Sequence, residues 1–436
     1  MTDYDHTVAL IAGQLSAADE NLQANDAVAQ ARAIVEAVIR TEPRPPDPPH
    51  DLVTDHLQDA INAAAVGATL WLDCALVEPG PITISKGITL IGAEDVGPQP
   101  STMPMPTLAG GLTVTGTHVT LLGLEIRKTQ DATDVVTLTG DTITLASCRI
   151  LGDPVRGNKR GLAANAPRIT LRNCLVDYCF AKGQDSQAVC GWDNTIQLTI
   201  EDCWLAAASE VVMIGGSDAQ NEARQPAGFT MTGSTLTKRP EWRNAGLAVK
   251  NLFELKNCIG ARVTGNTLEH CWADGQDGYA IVFTPRNQGG SNPWATVADV
   301  LFADNTIRHV CTGMNLLGTD YPNPSGVMHH VEIRDNVFED VDCVTYGSTR
   351  GPGSNKTILL GAGIQQLVIA DNHFAPSAHM GYGLYFYSTP CVDVDVVDNA
   401  FPNPVKYGTV GGDGVAAGSA AWTRYVTSGT YEGNTP

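Results

Sequence analysis

Apolar and polar residues alternate through residues 168–176, RITLRNCLV. The pattern returns as ITLASCRI (143–150), LTIEDCWL (198–205), FTMTGSTL (229–236), ARVTGNTL (261–268), VLFADNTI (300–307), VEIRDNVF (331–338), LVIADNHF (367–374) and VDVVDNAF (394–401). Two positions before the last apolar residue of each copy stands Cys148, Cys174 or Cys203, then Ser234, then Asn266, Asn305, Asn336, Asn372 and Asn399. Neighbouring copies lie 26 to 39 residues apart, so the repeat keeps its core and varies its loops. A period of two marks strands, which sets aside the helical repeats. One short strand cannot bury its apolar side alone, whereas strands stacked rung on rung can. The pattern therefore predicts an all-β fold, a right-handed parallel β-helix. About twelve rungs at about 4.8 Å each would make a rod of roughly 55–60 Å.

A second strand is expected in each rung after a variable excursion, in residues 161–166, 187–192, 211–216, 252–256, 279–285, 313–317 and 383–388. The excursions 153–160, 177–185, 237–250 and 269–277 should line up on one wall. Function is expected there, because loops held by a rigid scaffold carry binding and chemistry. The repeated cysteines and asparagines read as inward stacks, the amides bonding one another and the bend backbone.

Residues 1–41 place Val8, Ile11, Leu15, Leu22, Ile34, Val38 and Ile39 mostly at helical spacings, predicting a short α-helical segment for anchoring or oligomerisation. Asn25 and Arg32 interrupt its heptad seam, so one amphipathic helix on a partner competes with a coiled coil. Residues 42–50, EPRPPDPPH, form a stiff spacer. Residues 51–436 make the β-helix. Within it, 54–65 reads as a capping helix with Thr54 as N-cap, plugging the first rung. No capping helix is expected in 407–436.

Abundant glycine and 6% aromatics suit a solenoid. The net charge of −20 argues against a nucleic-acid partner and disfavours an anionic polysaccharide, unless metal ions or local Lys and Arg intervene. The eleven cysteines include several at the inward position and no CxxC pair, so small buried hydrophobes are expected rather than a metal site or systematic disulfides. No apolar run is long enough to span a membrane. The N-terminus has no basic segment followed by an apolar one, so no secretory signal is expected.

Gly183-Gln184-Asp185 and Gly275-Gln276-Asp277 each precede a second strand. They read either as a shared turn or as carboxylates on the wall. Two chemistries suit such a wall. Glycoside hydrolysis needs two carboxylates about 5–10 Å apart, for which Asp185 with Glu210 or Asp277 are candidates. Elimination from a uronic acid needs a base of lowered pKa and a cation for the sugar carboxylate, roles open to Lys250, Lys256 and Arg286. Strict alternation points Glu254 and Lys256 outward together. Lys159, Arg160, Gln187, Trp192, Trp242 and Trp272 are candidate substrate contacts, since aromatics stack on sugars or pack loop bases. Trp204, Trp294, Tyr279 and Tyr321 share that ambiguity. No resident cofactor is expected; Asp393, Asp395 and Asp398 are the one candidate set for Ca²⁺.

LQDAINAAAVGATLWL followed by ITISKGITLIGA resembles the entry of pectate-lyase-like right-handed β-helices. KRGLAANAPRITLRNCLVDYCFAKGQDSQAVCGW, with VKNLFELKN, YAIVFTPRNQ and MNLLGTD, resembles a bacterial group of right-handed parallel β-helix repeat proteins over residues 52–434. The resemblance implies the fold and supplies no catalytic residues. It also implies secretion and a longer C-terminus, from which this chain departs. Together these features lead to a phage virion appendage of the tailspike or fibre kind, contacting surface polysaccharide and reaching the outside by lysis. Its residues 1–41 would dock on other virion proteins, with a homo-oligomer, by analogy a trimer. The alternatives are a polysaccharide lyase or glycoside hydrolase, a ligand-free structural decoration, and a cytoplasmic location.

Overall fold

The computed structural model describes residues 52–93, 97–98, 103–128, 133–321, 323–401 and 409–435. The expected helical head, 1–41, and spacer, 42–50, lie outside them. Among the described residues the chain is a right-handed parallel β-helix built from all-parallel sheets of 14, 11 and 12 strands, here sheets A, B and C. One rung runs through Ile169–Arg172 in sheet A, Leu175–Cys179 in sheet B and Gln187–Gly191 in sheet C. Ile169 pairs with Ile143 below and Leu198 above, and Val189 sits between Leu162 and Val212.

Each patterned stretch is therefore two strands and a bend, where the alternation alone suggests one strand; the expected second strands are those of sheet C. At the bend the residue before the repeated Cys, Ser or Asn is left-handed, with φ between 50° and 68° from Ser147 through Asn173, Gly233, Gly265, Asp304 and Asp335 to Asp398. Asn, Asp and Gly tolerate that conformation best. At Gly123 nothing else fits, because a Cβ would stand 1.5 Å from the Ala93 carbonyl oxygen.

Inside the bend the amides form a continuous ladder. The Asn305 Oδ1 accepts from both the backbone N–H and Nδ2 of Asn266, at 3.0 Å each. Asn336 does the same for Asn305, Asn372 for Asn336, Asn399 for Asn372, and Asn434, not anticipated, for Asn399. Ser234 passes the column on to the buried, free thiols of Cys203, Cys174 and Cys148. The rest of the interior is aliphatic, with Phe338, Phe374 and Phe401 stacked at 4.3 and 5.5 Å.

Helix α1, Leu57–Ala63, buries Leu57 and Ile61 against the first rung. Its N-cap is His56 in the left-handed region, not Thr54. The Leu57 N–H is instead accepted by Glu78 Oε2 at 3.1 Å, and Lys86 Nζ donates to the carbonyls of Asn62 and Ala64 at the other end. The far end is capped too, contrary to expectation: helix α2, Ser419–Tyr425, buries Ala421 and Tyr425, with Tyr425 stacked on Phe386 at 6.1 Å. Its sequence, SAAWTRY, is short and small-residue rich, too weak a periodic signal to read unaided.

Candidate active site

Corresponding excursions do line up. The connections from sheet B to sheet C fold over the outer side of sheet C and tie to one another and to the strands: Arg239 to Asp177, Arg243 to the carbonyls of Thr345 and Gly347, and Ser354 to Tyr279. This cover explains why strands Gln187–Gly191, Glu210–Ile214 and Tyr279–Phe283 are buried on both faces. The cover opens above Glu254, Val282 and Asn315, which face outward in register on three successive rungs.

That opening is a cleft of about 440 Å³. Glu254, Lys256, Val282, Thr284 and Asn315 line it, Gln276 and Asp277 come from one wall, and Arg286 from the connection leading to sheet A. Its size falls within the ~300–1,000 Å³ of small-ligand sites. The Glu254 side chain is 2% exposed, and its Oε1 lies 3.4 Å from Lys256 Nζ. Burial, opposed by Lys256 and reinforced by Glu210, pushes the Glu254 carboxyl up to about 7. Its Oε2, Thr284 Oγ1 and Asn315 Oδ1 are buried with no hydrogen-bond partner. Arg286 is held by Asp320, whereas Asp277 is exposed at the rim.

Beside the cleft lies a second cluster. Lys250 Nζ contacts Asp185 at 2.5 Å and Glu210 at 3.3 Å, and Gln187 donates to Glu210 at 2.7 Å. Sharing one ammonium puts Asp185 and Glu210 within about 6 Å of each other, a carboxylate spacing that glycosidases use. Burial disfavours the Lys250 ammonium, but Glu210 and Asp185 outweigh it and hold the group above its ordinary range. Sequence reasoning missed Lys238. It is fully buried and donates to the carbonyls of Ala207, Ala208, Ser209 and Asn251, and desolvation lowers it to about 8. With its donors consumed it holds the wall to the strands; a lone lysine after a strand gives no sequence signal of this.

The structure thus sorts the expected residues into two clusters. Asp185, Glu210, Lys250 and Gln187 form one; Glu254, Lys256, Asp277 and Arg286 form the other. Asp185 and Asp277 occupy matching places, four residues ahead of Val189 and Ile281, which are three rungs apart. About 14 Å of axial separation excludes them as partners in one displacement. Trp242 and Trp272 are 4% and 3% exposed, so neither ring offers a face to a sugar. Trp242 packs on Phe180 at 5.9 Å, and Arg243 lies over Trp272 at 5.9 Å. Arg160 covers Trp192 at 4.7 Å and pairs with Asp134 at 3.0 Å. The Lys159 carbonyl accepts the Gln187 N–H. Among the described residues no three His, Cys, Asp or Glu side chains converge as cation ligands. Asp395, one of the expected Ca²⁺ set, accepts instead from the Thr430 N–H. Among those residues no helix is long and apolar enough to cross a membrane.

No family model and no curated protein matches the chain. Solved structures do. A mutant tailspike of E. coli bacteriophage HK620, in complex with a pentasaccharide, matches at 12% identity and a TM-score of 0.44 over 92% of this chain and 68% of that one. Another structure of the HK620 tailspike with pentasaccharide, of which 59% is covered, matches at 13% and 0.42 over 81% of this chain. The surface adhesin PfbA of Streptococcus pneumoniae matches at 9% and 0.44, over 79% of this chain and 87% of that one. At these identities and scores the matches carry no assignment of activity.

Proposed function

We propose that this β-helix binds a polysaccharide along sheet C and hydrolyses it in the cleft between Glu254 and Asp277. The observation that carries the reading is Glu254 itself, a buried carboxyl with one unpartnered oxygen, opening onto a cleft that a second acidic side chain, Asp277, also lines. A carboxyl that protonates near neutrality is suited to give its proton to the glycosidic oxygen as the C–O bond breaks. Asp277 supplies the second carboxylate, to the sugar carbon or to the attacking water, and Lys256 stabilises Glu254 once it has lost its proton. Elimination is the weaker chemistry here. Glu210 and Asp185 hold Lys250 as its ammonium, with no free lone pair to take a proton, and Lys238 is spent on backbone carbonyls.

Incubation with a glycan panel tests this. New reducing ends without new ultraviolet absorbance are expected; absorbance from an unsaturated sugar would mean a lyase, and neither signal would leave binding alone. Glu254→Gln and Asp277→Asn should each lower turnover by about 10²–10⁴-fold.

The finer reading sets this surface on a virion appendage of the tailspike kind, anchored by residues 1–41 and assembled as a homo-oligomer. The helical pattern of those residues and the proline spacer after them support it. Mass spectrometry of purified virions checks it: the chain should be found in the particle, and its presence only as free cytosolic protein would count against the appendage.

A further inference from the structure

We propose that the sugar unit seated over Glu254 is uncharged and bound through hydroxyls that donate hydrogen bonds, and that uronic acids are refused. This rests on the reading of the cleft as a glycan site.

The buried polar atoms left without partners in the cleft are all oxygens: Glu254 Oε2, Thr284 Oγ1 and Asn315 Oδ1. Farther along the same sheet, Gln187 Oε1 and Asn251 Oδ1 are unpartnered as well. The Asn315 amide oxygen only accepts, whereas the Thr284 hydroxyl and a protonated Glu254 carboxyl donate or accept, so the partner missing at Asn315 is a donor. A buried acceptor without a partner is a standing cost that a ligand hydroxyl relieves and a ligand carboxylate does not. Thr284 and Glu254 are 2% and 1% exposed, so their orientation is fixed by packing before any ligand arrives.

The cations nearby are already engaged. Lys256 faces Glu254 at 3.4 Å, Lys250 is shared by Asp185 and Glu210, and Arg286 is held by Asp320. Asp277 stands exposed at the rim, and no ion pair joins it to a described cation. An entering carboxylate would meet the like charge of Asp277 and would have to compete with Glu254 for Lys256 and with Asp320 for Arg286. Val282, 5% exposed between Glu254 and Asn315, gives the floor an apolar patch for the C–H face of a neutral ring.

The test is titration of the full chain with neutral hexose and N-acetylhexosamine oligomers and with oligogalacturonate of matched length, following heat of binding and reducing ends separately. Neutral oligomers should bind, with the uronate at least about tenfold weaker. Equal or tighter uronate binding overturns the assignment. Neutral binding without new reducing ends keeps this assignment and removes hydrolysis; cleavage of the uronate keeps hydrolysis and removes this assignment. No binding by either class overturns both. Asn315→Ala, at a half-buried surface position, should weaken neutral binding several-fold while circular dichroism stays unchanged. Undiminished binding in that variant would place the sugar elsewhere and overturn the assignment.

Discussion

Glu254 is where folding and chemistry pull in opposite directions. Its carboxyl is raised from an ordinary 4.5 to about 7 because burial opposes its charge. The stability tied to the neutral form is therefore fully present below about pH 4.5 and is lost as the pH rises through 7. The effect has an upper bound of about 3 kcal/mol. Thermal unfolding should show Tm falling between pH 5 and 8, and Glu254→Gln should flatten that slope; an unchanged slope would mean the carboxyl is ionised in the fold throughout. Alternation was enough to put Glu254 and Lys256 on the outer side of their strand. It gave no hint that Glu254 is buried there, because the walls of the cleft around it come from other segments, Gln276 and Asp277 among them. Trp242 and Trp272 fail as sugar contacts for the same reason. A sequence shows that an aromatic lies in a loop, but not which neighbouring loop closes over it.

The bend is the element that sequence reveals best, since the chain repeats it. An interior asparagine uses Oδ1 on the rung before it and Nδ2 on backbone carbonyls, as Asn336 does with Phe302 and Arg334. Asn336→Ala would strand the N–H and Nδ2 of Asn305 in the core, costing about 3–5 kcal/mol by chemical denaturation. Asn434→Ala, at the half-exposed end of the ladder, should cost nearer 1 kcal/mol. Equal losses at the two positions would show that the ladder does not act through burial. The division into sheets A and B was hidden because the left-handed residue turns the chain without breaking the alternation of side chains. Lys238 was hidden because its partners are backbone carbonyls, which carry no residue identity. Lys238→Met should destabilise the wall by several kcal/mol, through four carbonyls left without their donor.

At the scale of the molecule, stacking rungs converts residues far apart in sequence into neighbours on one surface. Lys250 reaches Asp185 across 65 positions, and Arg243 reaches Gly347 across 104. The sequence supported a common wall, and the wall is present; what it could not supply was the axial distance between matching excursions, which separates Asp185 from Asp277. The acidic molecule and the exposed Asp277 at the rim of the cleft weigh against the same class of glycan, one carrying carboxylates. A crystal structure of Glu254→Gln soaked with a neutral oligosaccharide that the wild-type chain cleaves tests the central claim most directly. A sugar ring should lie across Val282, with its glycosidic oxygen at residue 254 and its anomeric carbon facing Asp277. Density for the oligosaccharide on another sheet, or beside Lys250 with the cleft empty, would contradict it.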